Sequence, residues 1–120
     1  MASSSIISSV AALRCLVGAA LIAKPAMATS GDAGRTALVR TIGVRDLVLG
    51  AGTLAALRGA PQRALLWTRA GLLSDVGDTL VAVASRRELG TPGTLVAAGA
   101  PLPFVAAVCS TRPWRRVPAP

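Results

Sequence analysis

Five ionisable side chains stand inside stretches of sequence that are otherwise apolar: Arg14, Arg45, Asp46, Asp75 and Asp78. Guanidinium and carboxylate groups in such surroundings can neutralise one another, relay protons, or line a cavity for a polar solute. An ionised group at mid-membrane costs at least ~2.5–3.5 kcal/mol on insertion scales, so each needs a partner. Spacing suggests which partners. Asp75 and Asp78 are three residues apart, and on a helix both point to one face. Measured inward from one side of the expected layer of helices, Asp78 and Arg45 lie ~10 and ~9 Å deep at 1.5 Å per residue. Asp75 and Arg14 lie ~15 and ~14 Å deep by the same rise. The two levels predict Arg45 beside Asp78 and Arg14 beside Asp75, with Asp46 next to the first helix or capping the cluster. Arg69, near the opposite end of the third stretch, is expected to reach the other headgroup layer beside Trp67. With it, the inner charges are three Arg and three Asp.

The elements that must position these residues follow from composition. The chain has 120 residues, with 13 Lys and Arg, five Asp and Glu and no His, for a formal net charge of +8. Hydrophobic residues make up 52% and charged residues only 15%, where soluble domains sit nearer a quarter charged. That argues against an ordinary soluble domain and against intrinsic disorder, which requires low hydrophobicity. Two cysteines, Cys15 and Cys109, are too few for a disulfide-stapled scaffold and read as small core residues. A basic balance is also the footprint of nucleic-acid binding. Here the arginines are scattered between apolar runs, and Trp67, Phe104 and Trp114 do not interleave with them, so no nucleic-acid partner is expected.

Four apolar stretches are read as helices, at 6–23, 39–57, 65–85 and 94–110, followed by a basic tail at 111–120. Each is roughly 17–21 residues long, and about 20 residues at 1.5 Å rise cross a ~30 Å hydrocarbon layer. Gly and Pro punctuate the links at 58–63 and 86–93. Pro101 and Pro103 are expected to kink the fourth helix. The fold class is therefore all-α, a polytopic membrane protein forming an antiparallel four-helix transmembrane bundle, with 1–120 as one membrane domain. Trp67 and Trp114 fall near helix ends, where an aromatic belt would put them. Ala26-Met27-Ala28 has the small-x-small pattern of a signal-peptide cleavage site. Against cleavage, residues 1–5 lack a basic side chain and Arg14 interrupts the apolar segment, so helix 1 is read as retained. Basic residues divide evenly between the two sides, so the positive-inside rule ties; the basic tail tips the reading toward both termini in the cytoplasm.

No catalytic motif emerges. There is no phosphate-binding glycine loop and no C-x-x-C, and without His neither a hydrolytic triad nor a His-containing metal site can be assembled. Catalytic, cofactor-binding and metal residues are accordingly set at none, and the chain is read as a non-enzyme. Gly52 and Ala56 form a small-x-x-x-small pair suited to close helix approach, within the bundle or between protomers. The leading reading is a multi-pass protein of the inner (plasma) membrane, a structural or interaction module or a small subunit of a membrane assembly. Its partners would be the lipid bilayer and either a second copy or another membrane protein. The alternative is a minimal transporter or proton-linked channel using Arg14, Arg45, Asp46, Asp75 and Asp78. A dry, fully paired cluster favours the first, a water-accessible tunnel the second, and a lipid-sized cleft between helices would point to a membrane enzyme instead.

Residues 40–50 read R-T-I-G-V-R-D-L-V-L-G. This resembles a family of small, uncharacterised bacterial and fungal integral membrane proteins, a domain of unknown function with four helices. The family carries an R-x-x-G-x-R-D-apolar-x-x-G signature in its second helix, an Arg in the first and an Asp in the third. The matching positions are Arg14, Arg40, Gly43, Arg45, Asp46, Gly50 and one or both of Asp75 and Asp78. The resemblance implies the four-helix architecture and no reaction.

Overall fold

A computed structural model describes residues 2–29 and 31–111. All regular structure among them is helical: α1 (Ala2–Ala23), a 3-10 turn (Pro25–Met27), α2 (Ala33–Gly59), α3 (Pro61–Ala84), α4 (Arg86–Gly99) and α5 (Leu102–Ser110). Trp114 and the basic tail lie outside the described residues, apart from Thr111.

The helices extend beyond the apolar stretches that announce them. α2 begins at Ala33, not residue 39, because Asp32 caps it: the backbone N–H of Arg35 donates to Asp32 Oδ1 at 2.9 Å. That bond satisfies one of the orphan donors of the first turn, and it holds the exposed Asp32 carboxyl below its ordinary value. α3 begins at Pro61, where the missing N–H costs nothing because first-turn donors have no intrahelical acceptor. Across 86–93, read from sequence as a turn, the chain is helical except at Gly90, whose φ of 67° and ψ of 173° break the run. Pro92 follows two residues later, in the first turn after the break. The expected single helix at 94–110 is two pieces, because Ala100 and Pro101 separate α4 from α5. Pro103 sits in the first turn of α5, where proline is tolerated.

α1 and α2 form the closest pair. A Cβ added at Gly18 would lie 2.5 Å from the carbonyl oxygen of Gly43, and one at Gly50 would lie 2.5 Å from that of Ala11. Only glycine permits backbones this near. α3 closes on α2 more loosely, with the Trp67 indole over Gly52 at a distance a Cβ would shorten to 2.7 Å. Gly52 thus serves packing within the bundle. α5 packs against both α1 and α3, and α4 lies along α3. The result is an elongated body of 52 × 27 × 18 Å.

Its interior is not a conventional apolar core. The buried apolar residues are Ala11, Ala64, Leu72, Ala82 and Val108, and beside them are buried Arg14, Asp46, Thr53, Thr68 and Asp75. Most large apolar side chains are outside: Leu13, Leu16, Leu38, Val48, Leu66, Leu73, Leu80, Leu95 and Val96 are all at least half exposed. Two segments, Ser4–Ala23 and Arg86–Ser110, are long and apolar enough to cross a membrane. The second spans α4 and α5 together, and both are mostly exposed on the bundle.

Candidate functional site

Helical spacing puts each buried charge into a stripe of small residues. On α1, Ala11, Arg14 and Gly18 follow at intervals of three and four, so they share one face. On α2 the buried residues are Gly43, Asp46, Gly50 and Thr53, again at three and four. The two stripes meet, and the missing side chains of the glycines leave room for the guanidinium of Arg14. α3 presents Thr68, Gly71 and Asp75 toward the same point, with the Gly71 position open enough that a Cβ would touch the Arg14 guanidinium at 3.5 Å.

Arg14 is the hub. Its Nη1 donates to Asp46 Oδ1 at 3.1 Å, and its Nη2 donates to Asp75 Oδ2 and faces the Gly71 carbonyl at 3.4 Å. The ring of Phe104, from α5, covers the guanidinium with its centroid 4.9 Å from Cζ. Such a contact adds roughly 0.5–2 kcal/mol, more when water is excluded. Residues from α1, α2, α3 and α5 therefore converge on one side chain.

Arg45 continues the network outward. Its Nη1 lies 2.7 and 2.6 Å from the two carboxylate oxygens of Asp78, and its Nη2 donates to Asp46 Oδ1 at 3.2 Å. Arg45 and Asp46 are sequence neighbours, which a helix points about 100° apart, so the long Arg45 side chain must curl back to meet Asp46. Its Nε is buried without a hydrogen-bond partner. The five charges form one alternating line: Asp78, Arg45, Asp46, Arg14, Asp75. Side-chain exposure falls along it, from 36% and 30% at Asp78 and Arg45 to 11% at Asp46 and 5% and 4% at Arg14 and Asp75.

The structure thus brings together Arg14, Arg45, Asp46, Asp75 and Asp78, with Asp46 accepting from both guanidiniums. Arg69, also on α3, is half-buried. The side chains joined in this line are two Arg and three Asp. Sequence reasoning gave no part to Phe104 or Gly18. Gly18 and Gly50 do stand seven residues beyond Ala11 and Gly43, a two-turn repeat that sets a single face, but such repeats are weak signals in an Ala- and Gly-rich chain.

Buried hydroxyls nearby are satisfied inside their own helices. Thr53 donates to the Leu49 carbonyl at 2.7 Å and Thr68 to that of Ala64 at 2.8 Å. They leave lone pairs facing a narrow cavity shared with Arg14, Trp67 and Gly71, which has room for about one water molecule. Cys15 and Cys109 are both free thiols. Among the described residues no group of three or more His, Cys, Asp or Glu is arranged to hold a metal ion.

Compared with known proteins, the chain matches no family model, no curated protein and no solved structure.

Proposed function

We propose that this chain is a multi-pass integral membrane protein of the inner (plasma) membrane, in which α1, α2, α3 and the α4–α5 pair each cross the bilayer. In this reading the line of ion pairs locks four helices into one arrangement. The protein then acts as a structural or interaction module, a small subunit of a membrane assembly or of a homo-oligomer, and carries no catalysis.

One observation carries the proposal: the distribution of residues is inverted relative to that of a water-soluble bundle. Leucines and valines cover the outside, while guanidinium, carboxylate, hydroxyl and glycine fill the inside. Water would penalise so much contiguous apolar surface. Lipid covers it at no cost, and lipid also makes close backbone approach through glycine and polar contacts between helices the forces that hold a bundle together. α2 and α3 carry more charge than an isolated crossing helix tolerates, but most of that charge is paired within the bundle or lies near the helix ends. The narrow cavity beside Arg14 suits a lock more than a passage.

The test is fractionation followed by flux. After expression in a bacterial host, the full chain should stay in the membrane pellet through an alkaline carbonate wash and leave it only with detergent. Release by carbonate would overturn the membrane reading. Proteoliposomes of the purified chain should show no proton or ion flux above empty vesicles; a flux abolished by Asp75→Asn would replace the lock with a transporter.

A further inference from the structure

Among the described residues, exposed charge is confined to two bands. The exposed charged side chains are Lys24, Asp32, Arg35, Arg40, Arg58, Arg63, Arg86, Arg87 and Glu88. Two close contacts fix their levels: Arg45 of α2 meets Asp78 of α3 at 2.6 Å, and a Cβ at Gly18 of α1 would lie 2.5 Å from the Gly43 carbonyl oxygen. From the Arg45–Asp78 level toward the start of α2, Arg40 lies ~8 Å out and Arg35 ~15 Å out at 1.5 Å per residue. α3 reaches its C-cap Ser85 ~10 Å out, and Arg86 and Arg87 follow directly at the start of α4. Lys24, beyond Gly18 on α1, falls ~12 Å out by the same rise. In the opposite direction Arg58 lies ~20 Å away and Arg63 ~22 Å away. The bands stand roughly 30–35 Å apart, enough to clear a ~30 Å hydrocarbon layer. Between them the exposed surface is apolar, with Leu13, Val44, Val48, Leu73 and Leu80 among its side chains. The charges at those levels are half-buried (Arg45, Arg69, Asp78) or buried (Arg14, Asp46, Asp75). Arg14 and Asp75 lie midway, so the most buried pair also marks the centre of the layer.

The two bands differ in what they can hold. Arg58 and Arg63 stand on the single connection between α2 and α3. The other band gathers basic side chains from the end of α1, the start of α2 and the start of α4, against the two acids Asp32 and Glu88. Asp32 is already engaged, since it caps α2 and lies 3.6 Å from Arg35. Arg86 gives one donor to the Val83 carbonyl at 3.3 Å and keeps its charge. Lys24, Arg40, Arg86 and Arg87 therefore outnumber the remaining carboxylate of Glu88. A zwitterionic headgroup brings its own ammonium with its phosphate and cannot balance that surplus, whereas an acidic phospholipid can. Guanidinium groups also match phosphate oxygens with paired N–H donors. We infer that the end of the bundle carrying Lys24, Arg40, Arg86 and Arg87 is a binding surface for acidic phospholipids, held by the phosphodiester of the headgroup. The inference rests on the membrane reading, and retention through the carbonate wash reports on that reading separately from the measurement below.

The test counts retained lipid. The full chain, purified in a non-ionic detergent, is mixed with equal amounts of phosphatidylglycerol and phosphatidylcholine of matched acyl chains, and bound lipids are counted by native mass spectrometry. The wild type should retain phosphatidylglycerol in preference, and the preference should shrink as salt is raised. Lys24→Gln alone should lower the ratio of the two lipids by about fivefold, the effect of one cation near an anionic surface. Lys24→Gln, Arg86→Gln and Arg87→Gln together should bring it close to one, while Arg58→Gln with Arg63→Gln should keep most of it. Circular dichroism establishes that each variant keeps its helices. A wild-type ratio near one overturns the inference, as does a folded triple variant with the wild-type ratio or an Arg58, Arg63 variant that loses as much as the triple. Should the triple variant not fold, the wild-type ratio and Lys24→Gln decide the matter. A chain that survives carbonate with a ratio near one would end this inference and leave the membrane reading standing.

Discussion

Along the α1–α2 seam, glycines bring two backbones to within a methyl group's clearance, and the charged side chains that enter, Arg14 and Asp46, meet each other. The α4–α5 arm is built in the other way. It is interrupted at Gly90 and again at Ala100–Pro101, buries no residue of α4 and only Val108 of α5, and holds to the bundle through Phe104 and the Thr79 hydroxyl. Among the described residues, α1 of the seam and the α4–α5 arm are each long and apolar enough to cross a membrane. The difference lies in where specificity comes from. The seam is defined by shape and charge, each correct only at one register, whereas the arm is an apolar cover whose broken backbone lets it follow the surface it meets.

Arg14 touches both regions, so removing it has the largest expected effect. Arg14→Ala strips Asp46 and Asp75 of a shared partner and Phe104 of its cation. Truncating one member of a buried ion pair costs about 3–5 kcal/mol, and reversible unfolding in mixed micelles should show a loss of that order. A loss below about 1 kcal/mol, the range of exposed pairs, would mean that the seam does not depend on its charge.

Gly50→Val separates the regions. Its side chain would collide with the Ala11 carbonyl and the Cys15 sulfur, and overpacking of this kind costs about 1–3 kcal/mol. Hydrogen exchange should quicken in α1 and α2 while α4 and α5 change little. Equal quickening in the arm would erase the distinction drawn above. Gly90→Ala is the converse. At φ 67° and ψ 173° the backbone sits in a region reserved for glycine, where other residues cost about 1–3 kcal/mol. No neighbour lies within 4 Å of the added Cβ, so the strain is relieved by moving the arm. Exchange should rise at 86–110 and stay constant along the seam.

The smallest effect belongs to the helix cap. The N–H of Arg35 donates to Asp32 and holds its carboxyl below the unfolded value. The cap's contribution is therefore complete above the unfolded carboxylate value and is lost as pH falls through the lower, folded one. Asp32→Ala should abolish that acid-side loss at the start of α2, read from the amide resonances of Gly34 and Arg35 against pH. An unchanged profile would show that the cap does not govern the helix end.

How much of this was legible beforehand depends on which geometry was needed. Depth along a helix is arithmetic, and it set Arg14 level with Asp75 and Arg45 level with Asp78, the same residues the ion pairs join. Rotation about the helix axes was out of reach. It decides that Asp46 accepts from both guanidiniums and that Phe104 faces Arg14, and it follows from which glycines interlock. The helix ends were misjudged because hydropathy marks only the apolar part of a helix, while capping by Asp32 and the proline at 61 extend α2 and α3 into polar sequence. The break at 100–101 was visible as two prolines, though they end one helix and start another where a kink was expected.

The position of Arg14 on the first helix also sets a schedule. Its carboxylate partners come 32 and 61 residues later, and its aromatic cover comes on the last helix. As the chain is synthesised, α1 emerges with a guanidinium that nothing nearby can neutralise; Asp46 arrives with α2 but brings Arg45 with it, so one positive charge stays unanswered until α3. α1 is thus ill suited to settle alone in the hydrocarbon. Its final seating coincides with closure of the whole bundle, so a chain cut short before Asp75 should be recognised as incomplete by that one unanswered charge.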